Sequence, residues 1–411
     1  MKNFEDYSTQ LTQSVGSKDG LVSPAIANSA SFAYGSAQIA EDIFAARAKR
    51  PLYSRMGNPT SARLESIMAE LDGGVGAVAT SSGMGAIAMV CMSLLKSGDE
   101  IISIGGLFGG TYSFFSETLS RFGVKTHFFD VDELENISSA INENTKIVFL
   151  ESVGNPNMRL PDIEAIANIT TKHQVALVVD NTITPMGVLP LQLGADIVLY
   201  STTKIISGNS SALGGIAVFR AIEDEDKFKT TRYAELEKII NKMGKMALVA
   251  NAKKRALRDF GMSASAHSSY QAMLGLETLP LRSERINSSV EFIVKALNEK
   301  GLNVNHPSLP TNVHHDRYNT NFTQGCGTLF TIDFGSKQSA YSFLDNSKLL
   351  TITANIGDSR TLGLHMASTI YSDFNSEQKE FLGITEGLVR ISVGLENPQD
   401  LINDILTASK E

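Results

Sequence analysis

The feature that most restricts this chain is a rhythm of short apolar runs separated by helical segments. Runs that read as strands fall at 77–80, 101–104, 124–129, 147–150, 176–179, 197–200 and 216–219, and helix-like stretches divide most of them. Strand and helix in alternation predict an α/β fold whose central sheet is mostly parallel and covered on both faces. Before the rhythm starts, residues 1–60 carry few periodic apolar positions and end in a turn-rich stretch, which predicts an extended arm. After Arg220 a charged run opens a helical region reaching about residue 260, with the length of a helix joining two domains. The expected division is an arm at 1–60, a main domain at 61–260 and a smaller α+β domain at 261–411. In the last of these, strands are expected near 328–334, 349–354 and 388–393, with helices at 286–297 and from Pro398.

The 411 residues are 42% apolar, enough for ordinary globular cores. A net charge of -8 without any long basic run argues against nucleic acid or anionic membrane as the main partner and in favour of a small molecule. Two cysteines, Cys91 and Cys326, have neither disulfide nor metal spacing around them. The first twenty residues lack the apolar core of a secretion signal, and the most apolar stretch, 85–95, is too short to span a bilayer. A cytoplasmic protein is expected.

Within the rhythm, the stretch GADIVLYSTTKIISGNSSALGG (194–215) sends a buried-type strand into Ser201, Thr202, Thr203 and a single lysine, Lys204. A lysine at the carboxyl end of a core strand, among hydroxyls and glycines, stands where α/β proteins form ligand sites; a surface lysine is the plain alternative. The loop at 81–85, between a strand and a helix, offers amides for a phosphate, although many such turns bind nothing. Asp180 closes the run Ala176, Leu177, Val178 and Val179, and a carboxylate there needs a partner, unless it is only a turn or cap residue. A protonated pyridine nitrogen is the partner that joins these features, because phosphate donors, a pyridinium partner and a lysine together point to pyridoxal 5'-phosphate (PLP). His314, His315 and Asp316 adjoin in sequence, and adjacent histidines do not converge as ligands, so no metal is expected.

These residues recur in order with YSRMGNPT (53–60), FGGT (108–111), ESVGNP (151–156), DNT (180–182), GLETLPLR (275–282) and LVRISVGL (388–395). On that set the chain resembles the Cys/Met-metabolism family of PLP enzymes over nearly its whole length. The resemblance implies a fold-type I transferase in which Lys204 is the Schiff-base lysine and Asp180 pairs with the pyridine nitrogen. Gly83, Met84, Ser201 and Thr203 would hold the phosphate, and Asn155 would lie near the phenolic oxygen. Tyr53 and Arg55 would reach the phosphate of a neighbouring subunit, in dimers that pair into a homotetramer. Phe108 stands where the family usually stacks a tyrosine, keeping the stacking face but losing the phenol. Arg390 would bind the substrate carboxylate, its alternative being a surface arginine on an edge strand, and Asn355 would also contact substrate. In NIGDSRTL (355–362), Arg360 replaces the glutamate usual in cystathionine-handling members, and Gly110 stands where methionine γ-lyases carry cysteine. The implied reaction is γ-replacement on an O-acylated homoserine, O-acetylhomoserine first, with sulfide or a thiol as the sulfur donor. A γ-lyase or synthase acting on methionine or cystathionine is the alternative. Tyr200, Ile205, Asn209 and Ser211 also depart from the family's usual residues.

Overall fold

The computed structural model describes residues 4–15, 20–45, 47–48 and 50–410. Seven strands make one sheet: β1 (Gly76–Thr80), β2 (Glu100–Ile104), β3 (Lys125–Phe129), β4 (Thr145–Glu151), β5 (Ala176–Asp180), β6 (Ile197–Tyr200) and β7 (Gly215–Phe219), in the order β1-β7-β6-β5-β4-β2-β3. Neighbours from β6 across to β3 are parallel, and β7 runs against both β6 and β1. Each parallel strand alternates between two cores. Val148, Leu150, Leu177, Val179 and Val198 feed one of them, while Ile147, Phe149, Val178, Ile197 and Leu199 feed the other. That is why these strands read as unbroken apolar runs. Their parallel pairing also delivers Glu151, Asp180 and Tyr200 to one edge of the sheet.

A second sheet contains β8 (Val304–Asn305), β9 (Leu329–Asp333), β10 (Thr351–Ile352), β11 (Leu362–His365) and β12 (Leu388–Ser392), in the order β10-β11-β12-β9-β8. It is antiparallel except between β10 and β11. Helices Leu279–Glu299, Lys337–Asn346 and Pro398–Ala408 cover it around a third core built on Ile293, Phe330, Phe343, Ile391 and Ile405.

Several elements differ from expectation. The charged region is not one joining helix but a series of short helical pieces between Lys227 and Phe260, broken at Tyr233 (φ -120°) and at Gly244 (φ 51°). Its Phe228, Tyr233, Leu248 and Ala252 are buried against the large sheet, and a straight helix could not place all of them on one face. The first segment is partly helical: Phe4–Val15 buries Tyr7 and Leu11, four residues apart, in the same core as helices Pro59–Asp72 and Ala266–Glu277. Of the first twenty residues, 1–3 and 16–19 lie outside the described residues. The strand expected at 349–354 shrinks to the two exposed residues of β10, and β11 takes the inner place beside β12 although Gly363 and His365 interrupt its apolar pattern. Among the described residues, no helix is long and apolar enough to cross a membrane.

Candidate active site

At the carboxyl edge of β4, β5 and β6 a cavity of about 200 Å³ opens between the two sheets. It brings together residues from sites scattered along the chain: Gly83, Met84, Phe108, Asn155, Asp180, Ser201, Thr203, Lys204 and Arg390 all line it. Asn355 reaches the same place through hydrogen bonds, with Lys204 Nζ donating to its Oδ1 at 2.6 Å. Tyr53 and Arg55 do not line the cavity. Tyr53 is exposed on the surface, and the Arg55 guanidinium donates to the carbonyl of Arg258.

The cavity holds two cations. Burial, with a smaller contribution from Arg390, brings the Lys204 ammonium down from its ordinary range to about 8. Arg390, on β12, is 2% exposed; it donates to Asn155 Oδ1 at 3.0 Å and to the carbonyl of Asn355 at 3.3 Å. Among the described residues it has no carboxylate partner. Burial lowers it to about 10, and an arginine so placed calls for an anion from outside the chain.

The wall opposite is built at the start of helix Gly83–Leu94. Ser82 caps it, its hydroxyl accepting from Gly85 N–H at 3.0 Å. First-turn amides have no acceptor within a helix, so those of Gly83 and Met84 are available to an anion. Glycine is required here, because a Cβ at position 83 would lie 2.7 Å from Ser201 Cβ. The helix thus begins inside the stretch 81–85 that the sequence reads as a loop. Thr203 also lines the wall, its hydroxyl lying 3.2 Å from the carbonyl of Gly214 and 3.0 Å from the N–H of the same residue.

Two acids end neighbouring strands, Glu151 opposite Asp180 in register. Asp180 Oδ1 accepts from Thr182 N–H (3.0 Å) and from its hydroxyl (2.6 Å); among the described residues nothing bonds Oδ2. Burial raises the Asp180 carboxyl above its usual range, so a cationic N–H donor at Oδ2 would be favoured. Glu151 is pushed up further, by burial first and by Asp180 second, which favours its acid form. Its Oε1 accepts from Phe108 N–H at 2.8 Å. Sequence reasoning assigned Glu151 no role, although it ends its strand just as Asp180 does.

A profile of Cys/Met metabolism PLP-dependent enzymes matches residues 8–410. The chain belongs to that family. This Cys/Met-metabolism enzyme is 36% identical to an O-acetyl-L-homoserine sulfhydrylase of Corynebacterium glutamicum, over 98% of this chain and 95% of the relative. It is 33% identical to an L-methionine gamma-lyase of Fusobacterium nucleatum, over 94% and 93% of the two chains. Its fold matches a crystal structure described as an O-acetylhomoserine (thiol)-lyase of Campylobacter jejuni bearing N'-pyridoxyl-lysine-5'-monophosphate, with a TM-score of 0.93 at 29% identity over 98% and 100% of the chains. The family enzyme is therefore a fold-type I PLP enzyme, and its relatives place its chemistry among γ-replacements and γ-eliminations. The residues present fit the cofactor: an amide pair and the Ser201 hydroxyl for a phosphate, an unbonded Asp180 Oδ2 for a pyridinium, and a buried amine at Lys204.

Other residues noted in the sequence lie outside the cavity. His314 Nδ1 accepts from Leu160 N–H (3.2 Å) and its Nε2 lies 3.1 Å from Asp132, while His315 faces the carbonyl of Pro307. Apolar walls from Ile87, Val153, Ile183 and Ile356 escaped sequence reasoning. Nothing in their local pattern separates them from core residues.

Proposed function

We propose that this enzyme catalyses γ-replacement on an O-acylated homoserine, O-acetylhomoserine first, with sulfide or a thiol, giving homocysteine or methionine. The observation that carries the reading is Arg390, buried with no carboxylate partner among the described residues and within the same cavity as Lys204. Its fork suits the α-carboxylate of an amino acid, which leaves that substrate's Cα toward Lys204. The choice among substrates draws support from the sulfhydrylase relative, from the O-acetylhomoserine (thiol)-lyase structure and from Gly110. A Cβ there would lie 2.6 Å from the Phe108 ring, so a cysteine at this position would require that ring to shift.

In this reading Lys204 carries the cofactor and Asp180 keeps a proton on its ring nitrogen. Gly83, Met84, Ser201 and Thr203 hold its phosphate, Phe108 stacks on the ring and Asn155 lies beside the phenolic oxygen. When bound, PLP supplies a sink for the electron pair left at Cα. Lys204 Nζ, released by the substrate's own amine and neutral above about pH 8, takes the proton from Cα. A second proton is removed from Cβ, acetate leaves from Cγ with the C–O pair, the thiolate forms the S–Cγ bond, and protons return to Cβ and Cα to complete the product. The apolar walls exclude water, which would otherwise compete with the thiol.

A second reading, γ-elimination, is favoured by the methionine γ-lyase relative, which is nearly as similar as the sulfhydrylases. The purified, cofactor-loaded protein incubated with O-acetylhomoserine distinguishes them. Homocysteine and acetate formed together, and only when sulfide is present, support replacement. Release of 2-oxobutanoate without sulfide, or from methionine or cystathionine, overturns it.

The division into an arm (1–60), a PLP-binding domain (61–260) and a substrate domain (261–411) is part of the same proposal, as are a cytoplasmic location and a homotetramer built from dimers sharing active sites. Support for the shared site comes from Tyr53 and Arg55, which lie outside their own chain's cavity, and from exposed Val22 and Phe44 on the arm.

A further inference from the structure

Lys204 is tied to a buried carboxylate by a chain of side chains that none of the expected roles explains. Its amine donates to Asn355 Oδ1 (2.6 Å), Asn355 Nδ2 donates to Ser210 Oγ (2.8 Å), and the Ser210 hydroxyl donates to Asp358 Oδ2. Asp358 is 2% exposed, and its other oxygen accepts from the backbone N–H (2.9 Å) and guanidinium (3.0 Å) of Arg360. Backbone contacts hold the two ends together. Ser359 N–H donates to Gly208 O at 2.9 Å, and the turn presses on the Lys204 loop so closely that a Cβ on Gly357 would meet Ile205 N at 2.6 Å. Gly357 also has φ +70°, so glycine is needed twice over.

The direction of every bond follows from the carboxylate. Paired with Arg360, Asp358 only accepts, so the Ser210 hydrogen must point at it and the Ser210 lone pairs must face Asn355. Asn355 then presents its NH₂ to Ser210 and its oxygen to Lys204; the amide flip is not free. We propose that Ser210 and Asp358 are positioning residues for Lys204: they hold the Asn355 amide so that its oxygen receives an N–H of the lysine and the nitrogen lone pair stays available for reaction. With the amide reversed, its NH₂ would donate to that lone pair and occupy it. The inference rests on Lys204 being the cofactor lysine.

The test uses Asp358→Asn and Ser210→Gly, the second suited to the φ of 57° at that position. Two rates are measured. The first is the return of visible absorbance when PLP is added to the cofactor-free chain, in which the Lys204 amine forms a C=N bond to the aldehyde carbon and the carbonyl oxygen leaves as water. The second is turnover of O-acetylhomoserine with sulfide. Each variant is expected to slow both rates about tenfold, the scale of one oriented hydrogen bond, with KM within about twofold. The double variant is expected to lose no more than the worse single one, because both act through one chain. Unchanged reconstitution and kcat in folded single variants, or losses that multiply in the double, would overturn the proposal. Where Asp358→Asn melts below the assay temperature, Ser210→Gly alone decides. Retention of the cofactor band in Lys204→Ala would instead sink the assignment of the lysine, leaving the two failures distinguishable.

Discussion

At Lys204 and Arg390 the site depends on two positive charges sharing one buried cavity. A lysine brought down to about 8 is mostly protonated at pH 7 and mostly a free amine at pH 9, and only the free amine reacts with an aldehyde. For the cofactor-free protein, the rate of PLP uptake is expected to climb between pH 7 and 9 and level off above; stopped-flow absorbance reads it, and a flat profile would contradict the lowered lysine. Arg390→Lys keeps the charge and loses the fork. It is expected to raise KM for the amino-acid substrate about 30- to 100-fold, the loss of roughly 2–3 kcal/mol of charge-assisted hydrogen bonding, with a smaller change in kcat. An unaltered KM would remove Arg390 from substrate binding. Lys204 and Asp180 stood out in the sequence because each ends an apolar strand with a charge. Arg390 stood out only as a charge within an apolar strand, since its neighbours Asn155 and Asn355 lie 235 and 35 residues away.

Among the elements, the helix Pro59–Asp72 and strand β6 meet at a costly contact. Asp72 is 1% exposed; Tyr200 donates to its Oδ1 at 2.8 Å, and Oδ2 has no partner among the described residues. Burial raises its carboxyl to about 7, against a smaller opposing effect of the Tyr200 hydrogen bond. Because the folded value lies above the unfolded one, the acid form is favoured in the fold, and that stability is lost as pH rises from about 4 through 7. Relative to Asp72→Asn, the native chain is expected to lose roughly 2–4 kcal/mol between pH 4 and 8. Melting curves of both proteins across that range would show the gap shifting toward the variant; a constant gap would refute the raised carboxyl. The glycine at the start of helix Gly83–Leu94 supplies a second test at this scale. Gly83→Ala drives a methyl toward Ser201 and is expected to weaken PLP binding at least tenfold, about 1.4 kcal/mol, in an equilibrium titration. Unchanged affinity would mean that this wall does not hold the phosphate.

For the whole molecule, the surface position of Tyr53 and Arg55 makes subunit exchange decisive. Lys204→Ala and Arg55→Ala proteins, each expected to be nearly inactive, should recover about a quarter of native activity when unfolded together and refolded at equal amounts, because half the dimers are mixed and each has one intact site. No recovery would place both residues at their own chain's site or at none. The charged segment 223–260 teaches the same lesson in reverse. Read as a line of residues it resembles a joining helix, yet its buried aromatics required it to bend over the large sheet.

The sequence by itself determined the large sheet, since strands buried on both faces must be apolar without interruption, and it singled out a lysine and an acid at the ends of neighbouring strands, since charges there are conspicuous. It was silent on Glu151 as a partner of Phe108, on the apolar cavity walls, and on the amide flip of Asn355. Those were decided only by the tertiary structure, because they depend on which groups face each other across long sequence separations, 151 residues between Lys204 and Asn355 and 148 between Ser210 and Asp358. Local pattern records the face a residue turns inward, and only the packing of distant segments determines what it meets there.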